Sequence, residues 1–148
     1  MGKYRFRLET LAKVRQRARD AERQRLADAY RADEVLAQQR ADVALQLEEL
    51  AGVRRAALSA DYVDINRLAA AGRYEPVLHS HQRTIEEQQR LLDEEIERRR
   101  QALVEADRGV RALELLDERH RAEHERQEQR LETRELDEVA SQQWLARQ

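Results

Sequence analysis

The 148 residues predict an all-α fold in which two long helices form an antiparallel coiled-coil hairpin. Three observations carry this. Charged residues make up 39% of the chain and aromatics only 4%, the composition of a coiled coil or long helix and not of a globular domain. Ala, Leu, Glu, Gln and Arg, all strong helix formers, dominate two long segments. Between them lies one short window with the only proline, Pro76, with Gly72 four residues earlier and the polar, β-branched run Asp61-Tyr62-Val63-Asp64-Ile65-Asn66 upstream. One coiled-coil domain over residues 1–148 follows, with a helix from about 5 to 58, a connector from about 59 to 75, and a helix from about 76 to 146.

In the first helix, Leu36, Val43 and Leu50 recur at seven, with Ala29 before and Ala57 after. Leu26 and Leu47 fill two alternate seam positions, and Asp33, Arg40 and Arg54 occupy others. Steps of three and four place all of these on one helical stripe. Nearer the start, Leu8, Leu11, Ala18 and Ala21 predict a weaker stripe.

The second helix is expected to open at Pro76, whose fixed φ and missing N–H suit the first helical position. Asp61 or Asp64 would cap a short helix in the connector that ends at Gly72. The seam of the second helix is Leu78, Ile85, Leu92, Ile96, Leu103, Ala106, Val110 and Leu113. It then stops: residues 117–130 read DERHRAEHERQEQR, a stretch held helical by Glu–Arg pairs at i,i+4 that buries little. A stripe returns at Leu136, Val139, Ala140 and Trp144. At about 1.5 Å per residue the helices would run roughly 80 and 105 Å, so the second overhangs the first.

Charge supports the pairing. Residues 1–25 carry nine Lys/Arg against three acids, and residues 117–148 carry nine acids against six arginines. A hairpin sets these ends side by side, at a salt-dependent gain. The net charge of −2 gives no bulk argument for nucleic acid or a membrane surface. The basic run Lys3, Arg5, Arg7, Lys13, Arg15, Arg17 and Arg19 alternates with apolar residues and is followed by Asp20 and Glu22. That favours a solvated face paired with the acidic end over a phosphate-binding track.

No cysteine is present, which excludes thiol chemistry and fits a reducing cytoplasm. No apolar run approaches the roughly 20 residues that span a bilayer. The His120–His124 pair shares a helix face, but two ligands do not close a metal site, and a solvated face is the plainer reading. His79 and His81, two apart, point to different sides. The carboxylates lack the burial that tunes catalytic acids, and no glycine-rich phosphate loop or nucleophile setting occurs. The sequence therefore predicts no enzyme, catalytic residue, metal, cofactor or small-molecule substrate, and disfavours nucleic acid as a partner.

What remains is contact with other proteins. Tyr62, Tyr74, Val77 and His81 gather large side chains near the turn, where they either plug it or form a tip that a partner grips. Leu136, Val139 and Trp144 mark the other end. Trp144 either packs on Tyr4 or Phe6 or stands free as an anchor, since Trp is common in interface hot spots.

The residues resemble a known family. The opening Tyr4-Arg-Phe-Arg-Leu-Glu-Thr-Leu-Ala-Lys-Val-Arg is similar to the start of the flagellar FliJ family. The segment Leu113-Glu-Leu-Leu-Asp-Glu-Arg-His resembles its second helix, and Glu135-Leu-Asp-Glu-Val-Ala its terminal signature. The resemblance implies a coiled-coil component of the flagellar type III export apparatus, similar to the central stalk of rotary ATPases. It further implies an export ATPase hexamer, the cytoplasmic domain of the export gate and export chaperones as partners. Its place would be the cytoplasm, peripheral to the inner face of the membrane at the flagellar base through those partners. The related injectisome stalk family shares this mechanism, and a generic scaffold or a nucleic-acid-binding coiled coil are the other readings.

Overall fold

The computed structural model describes residues 3–147. Two helices account for nearly all of them: α1 over Glu9–Ser59 (51 residues) and α2 over Ile65–Ala146 (82 residues). The helices pack against each other, and there is no strand among the described residues, as the composition predicts. Contacts divide the chain into two units, one of Glu22–Ala102 and one of Met1–Ala21 with Leu103–Gln148.

In the first of these units the seam is the predicted one. Leu36, Val43 and Ile85 form a buried cluster, with Leu47 and Leu92 packed on it. Ala29, Ala57, Leu78 and Ile96 are also buried, Leu78 to 1% exposure. Burial is confined to one stripe per helix, because only residues stepping by three and four face the partner helix. Two of the polar residues on the α1 stripe, Asp33 and Arg54, are bonded across the seam. The Arg54 guanidinium donates to Glu75 at 2.6 Å, and the Gln89 amide donates to Asp33 at 2.7 Å. Arg99 donates to the backbone carbonyl of Arg25, and Arg100 to the Tyr30 hydroxyl at 2.8 Å while lying over its ring. From residues 25–30 of α1 to residue 54 the partners on α2 fall from 99–100 to 75, so the pairing is antiparallel. No buried side-chain nitrogen or oxygen lacks a partner among the described residues.

In the second unit Val110 is the buried residue, and Leu8, Ala12, Leu103, Ala106 and Leu113 are half-buried. Here the expected N-terminal stripe is corrected. Leu11, Ala18 and Ala21 are exposed, while Leu8, Ala12 and Arg19 turn inward. The three-four rhythm of the seam runs back from Ala29 through Leu26, Glu22, Arg19, Arg15, Ala12 and Leu8, so it passes through charged residues that an apolar scan overlooks. Arg15 lies with its Cδ 3.9 Å from where a Cβ on Gly109 would stand, and Arg19 is paired with Asp107 at 3.9 Å.

The connector is also corrected. It spans only residues 60–64, and no separate short helix ends at Gly72; α2 begins at Ile65 and carries Pro76 inside it. The start is fixed by Asp64, whose Oδ1 accepts from the Arg67 N–H at 3.1 Å while its carbonyl accepts from Leu68. That is an N-cap, which satisfies donors the helix cannot. Asp64 was thus one of the two expected caps, but of the long helix. Ala69, Ala70 and Ala71 carry the helix onward, and the buried Ala71 and Leu78 hold the turns on either side of the proline against the seam. At the other side of the connector, the Ser59 hydroxyl donates to the carbonyls of Arg55 and Ala56 and closes α1.

Candidate functional site: two exposed faces for partners

The unit that holds both ends of the chain contains an anchored arm and an uncovered stripe. The arm is the segment before α1. The Tyr4 hydroxyl donates to Asp117 Oδ1 at 2.7 Å and also reaches the Asp117 carbonyl at 3.3 Å. Its ring stands edge-on to His124, centroids 5.6 Å apart, with the Arg121 guanidinium over it at 5.6 Å. Phe6 makes a similar edge contact with His120 at 6.1 Å. Burial raises the Tyr4 phenol above its ordinary value, and Asp117 adds to the rise by accepting its proton and by repelling the phenolate. In extended chain, residues i and i+2 lie on one side, and on α2 residues i and i+4 do. Tyr4 and Phe6 thus match His124 and His120. The histidine pair, expected to be a solvated face, also seats the arm, with His120 still exposed and His124 half-buried. Among the described residues no group of three or more His, Asp or Glu side chains is placed to hold a metal.

With Tyr4 and Phe6 occupied in this way, Trp144 does not pack on them. It is 63% exposed, and Leu136 is 70% exposed. Every described residue from 129 onward is exposed. Leu136, Ala140 and Trp144 follow at i, i+4 and i+8, with Val139 and Leu145 beside them, so they form one apolar strip along α2. Asp137, Ala140, Ser141, Trp144 and Leu145 line a shallow hollow on it. Acidic Glu132, Glu135, Asp137 and Glu138 flank the strip, giving an apolar line with a mainly negative border.

The second face lies on the other unit. Tyr74, Val77 and His81 stand at i, i+3 and i+7 on α2, all exposed. They run beside Gln39, Asp42 and Gln46 of α1. The Tyr74 hydroxyl reaches Gln46 at 3.5 Å, and His81, Thr84, Ile85 and Gln88 share a groove with Gln39, Asp42 and Val43. Tyr62, 79% exposed on the connector, is not part of that groove. The side chains are not folded inward to plug the turn. The α1 contribution was missed from sequence, because only the register between the helices says which residues of α1 lie beside Tyr74 and His81.

The charged surface does the opposite of what acid–base chemistry needs. Hydrogen bonds from Arg90 hold the Glu87 carboxyl below the usual range, and those from Arg99 and Arg98 do the same for Glu95. A general acid at neutral pH requires a raised value in a secluded site. These carboxylates are instead struts on exposed helix faces at i,i+3 and i,i+4.

No described helix is long and apolar enough to cross a membrane. A comparison with protein-family models matches residues 4–148 to the family described as Flagellar FliJ protein. No curated protein and no solved structure matches the chain.

Proposed function

Since the chain belongs to the flagellar FliJ family, it is a component of the flagellar export apparatus, and we propose that it acts there as a non-enzymatic central stalk. In this reading it joins and stimulates the export ATPase ring, reaches the cytoplasmic domain of the export gate, and binds export chaperones. It works in the cytoplasm, held at the inner face of the membrane at the flagellar base by those partners.

The observation that carries the reading is the uncovered strip of Leu136, Val139, Ala140 and Trp144. A helix that ends in a line of exposed apolar residues, after a stretch that makes few seam contacts, is suited to a cavity supplied by another protein. The ATPase ring is the partner assigned to this end. Its border of Glu132, Glu135, Asp137 and Glu138 favours a basic rim on that ring and an association that weakens with salt. The Tyr74–Val77–His81 face, with its neighbours Gln39, Asp42 and Gln46, is assigned to the gate or a chaperone. Tyr62 on the connector extends that assignment to the tip.

The test is hydrolysis by the purified export ATPase with and without this chain. Stimulation is expected, together with its loss in a Leu136→Asp, Val139→Asp, Trp144→Asp variant that keeps full helicity. A nucleotide turnover indifferent to the chain, or stimulation untouched by the triple variant, would overturn the assignment. Alanine variants of Tyr74, Val77 and His81 are expected to leave ATPase stimulation intact and to reduce capture of the gate domain or chaperone.

A further inference from the structure

We infer that the turn end of the hairpin is a jointed tip, hinged where Gly52 of α1 and the Gly72–Pro76 pair of α2 lie across from one another. The helix lacks one backbone bond at this level. In an α-helix the N–H of residue 76 would bond the carbonyl of residue 72. Pro76 has no N–H, so the Gly72 carbonyl loses that partner, and the proline ring crowds it. Of all the residues that could precede Pro76 by four, the chain places a glycine there, which yields most easily at the crowded carbonyl. Sharp bends in helices concentrate at such positions.

The second observation is on α1. The register that sets Gln46 beside Tyr74 and Arg54 against Glu75 brings Gly52 to the level of Gly72. Neither glycine is needed for backbone geometry, since no described residue has a positive φ. Neither is needed for space, since a Cβ at Gly52 or Gly72 would meet nothing within 4 Å. Each makes its helix less stable than alanine would, by about 1 kcal/mol. Two unforced glycines and one unforced proline thus sit at the same level of two adjoining helices. Softening both helices at one level is what a bend of the pair requires; softening one alone would be held by the other.

The packing around this level agrees. On the turn side of Pro76 the buried residues are Ala57 and Ala71, whose small side chains interlock less than the Leu36–Val43–Ile85 cluster further along the pair, while Leu78, buried just past Pro76, anchors the far side of the joint. The strut that crosses the level, Arg54 to Glu75, is a surface pair with both side chains partly in solvent, and it can break and remake at small cost. Tyr74 and Val77 flank Pro76 directly, so any protein seated on them touches the joint. The joint itself stands independently of the identity of that protein.

The experiment uses the full chain with spin labels at exposed positions 37 and 62, one on each side of the joint, and a reference pair at 37 and 88. Pulsed electron resonance distances are recorded for the wild type, for a Gly52→Ala, Gly72→Ala, Pro76→Ala variant, and for Gly109→Ala as a control. The expected result is a distribution for 37–62 broader than for 37–88, narrowing to the width of the reference in the triple variant and unaltered in the control. Amide exchange at residues 66–75 is expected to slow about fivefold in the triple variant, the ratio that the helix preference implies for the Gly72 replacement. A 37–62 distribution as narrow in the wild type as in the triple variant would overturn the inference. So would a broad distribution that the triple variant leaves unchanged, because the motion would then lie in the connector and not at the joint.

Discussion

Asp64, Tyr4 and Trp144 illustrate three different fates for a residue that a sequence marks out. Asp64 serves the fold. Its side chain caps α2 through the Arg67 N–H, and Asp64→Ala is expected to cost about 1 kcal/mol, read as a lower melting temperature with unchanged helix content. Tyr4 serves the arm. Its phenol is held protonated by burial and by Asp117, so its folded value lies above the unfolded one. The contribution to docking is therefore complete below about pH 10, the ordinary tyrosine value, and is lost as pH rises through the higher folded value. Tyr4→Phe is expected to abolish that alkaline release, followed by amide exchange of the arm, because the phenylalanine keeps the ring contact but has nothing to ionise. A wild-type arm that stays docked well above that pH would contradict the bond to Asp117. Trp144 serves neither, and its exposure is what points outward to a partner. The pairing of Tyr4 and Phe6 with His124 and His120 was not legible beforehand. Each residue type was visible in the sequence, but the match between an extended i,i+2 spacing and a helical i,i+4 spacing emerges only when the two segments lie side by side.

Among the elements, the seam was plain in the sequence from Ala29 onward, with Asp33 and Arg54 already placed on its stripe, and what was not plain was its charged N-terminal stretch and the partners of its polar residues. Ala29, Leu36, Val43 and Ala57, with Leu78, Ile85, Ile96 and Val110, are buried where their spacing places them. The rungs made by Arg19, Asp33 and Arg54 follow the same rhythm. The role of a charged residue on the stripe is legible only once its partner across the seam is known. Pro76 misled for a related reason: a proline is a good first residue of a helix, and only the cap at Asp64 and the alanines after it carry the helix past that position. Leu78→Ala is expected to cost about 2–5 kcal/mol, because it empties the most buried position. The exposed Leu91→Ala, on the same helix, should shift stability by no more than about 0.5 kcal/mol. Equal losses from the two substitutions, measured by denaturant melts, would mean that the seam is wrongly placed.

Across the whole chain, the balance of forces is that of a protein with little apolar interior and many ion pairs. The lowered carboxyls of Glu9, Glu87 and Glu95 are held by Lys13, Arg90 and Arg99 with Arg98. Groups with folded values below the unfolded ones add stability above the unfolded value, about pH 4.3 for glutamate. That stability is lost as pH falls through the folded values. Helicity is thus expected to be steady from neutral pH down to about 5 and to weaken below about 4, with a similar loss of these pairs in high salt. Circular dichroism across pH checks this, and melting that is unaffected by acid would show the pairs to be energetically silent. Family and fold class were readable from composition, spacing and the three quoted segments. The faces themselves were readable only in part, because exposure depends on which aromatic residues the arm consumes and on which α1 residues the register brings beside α2.

Whether the exposed strip at the end of α2 is the ATPase contact is decided by one titration. The purified ring is titrated calorimetrically with the wild-type chain and with Trp144→Ala, and the same two chains are melted in parallel. The variant is expected to lose at least about 1–2 kcal/mol in binding, as truncation of an interface tryptophan gives, with the melting temperature nearly unchanged because Trp144 is exposed and touches little within its own chain. Intact binding beside a large fall in melting temperature would contradict that assignment.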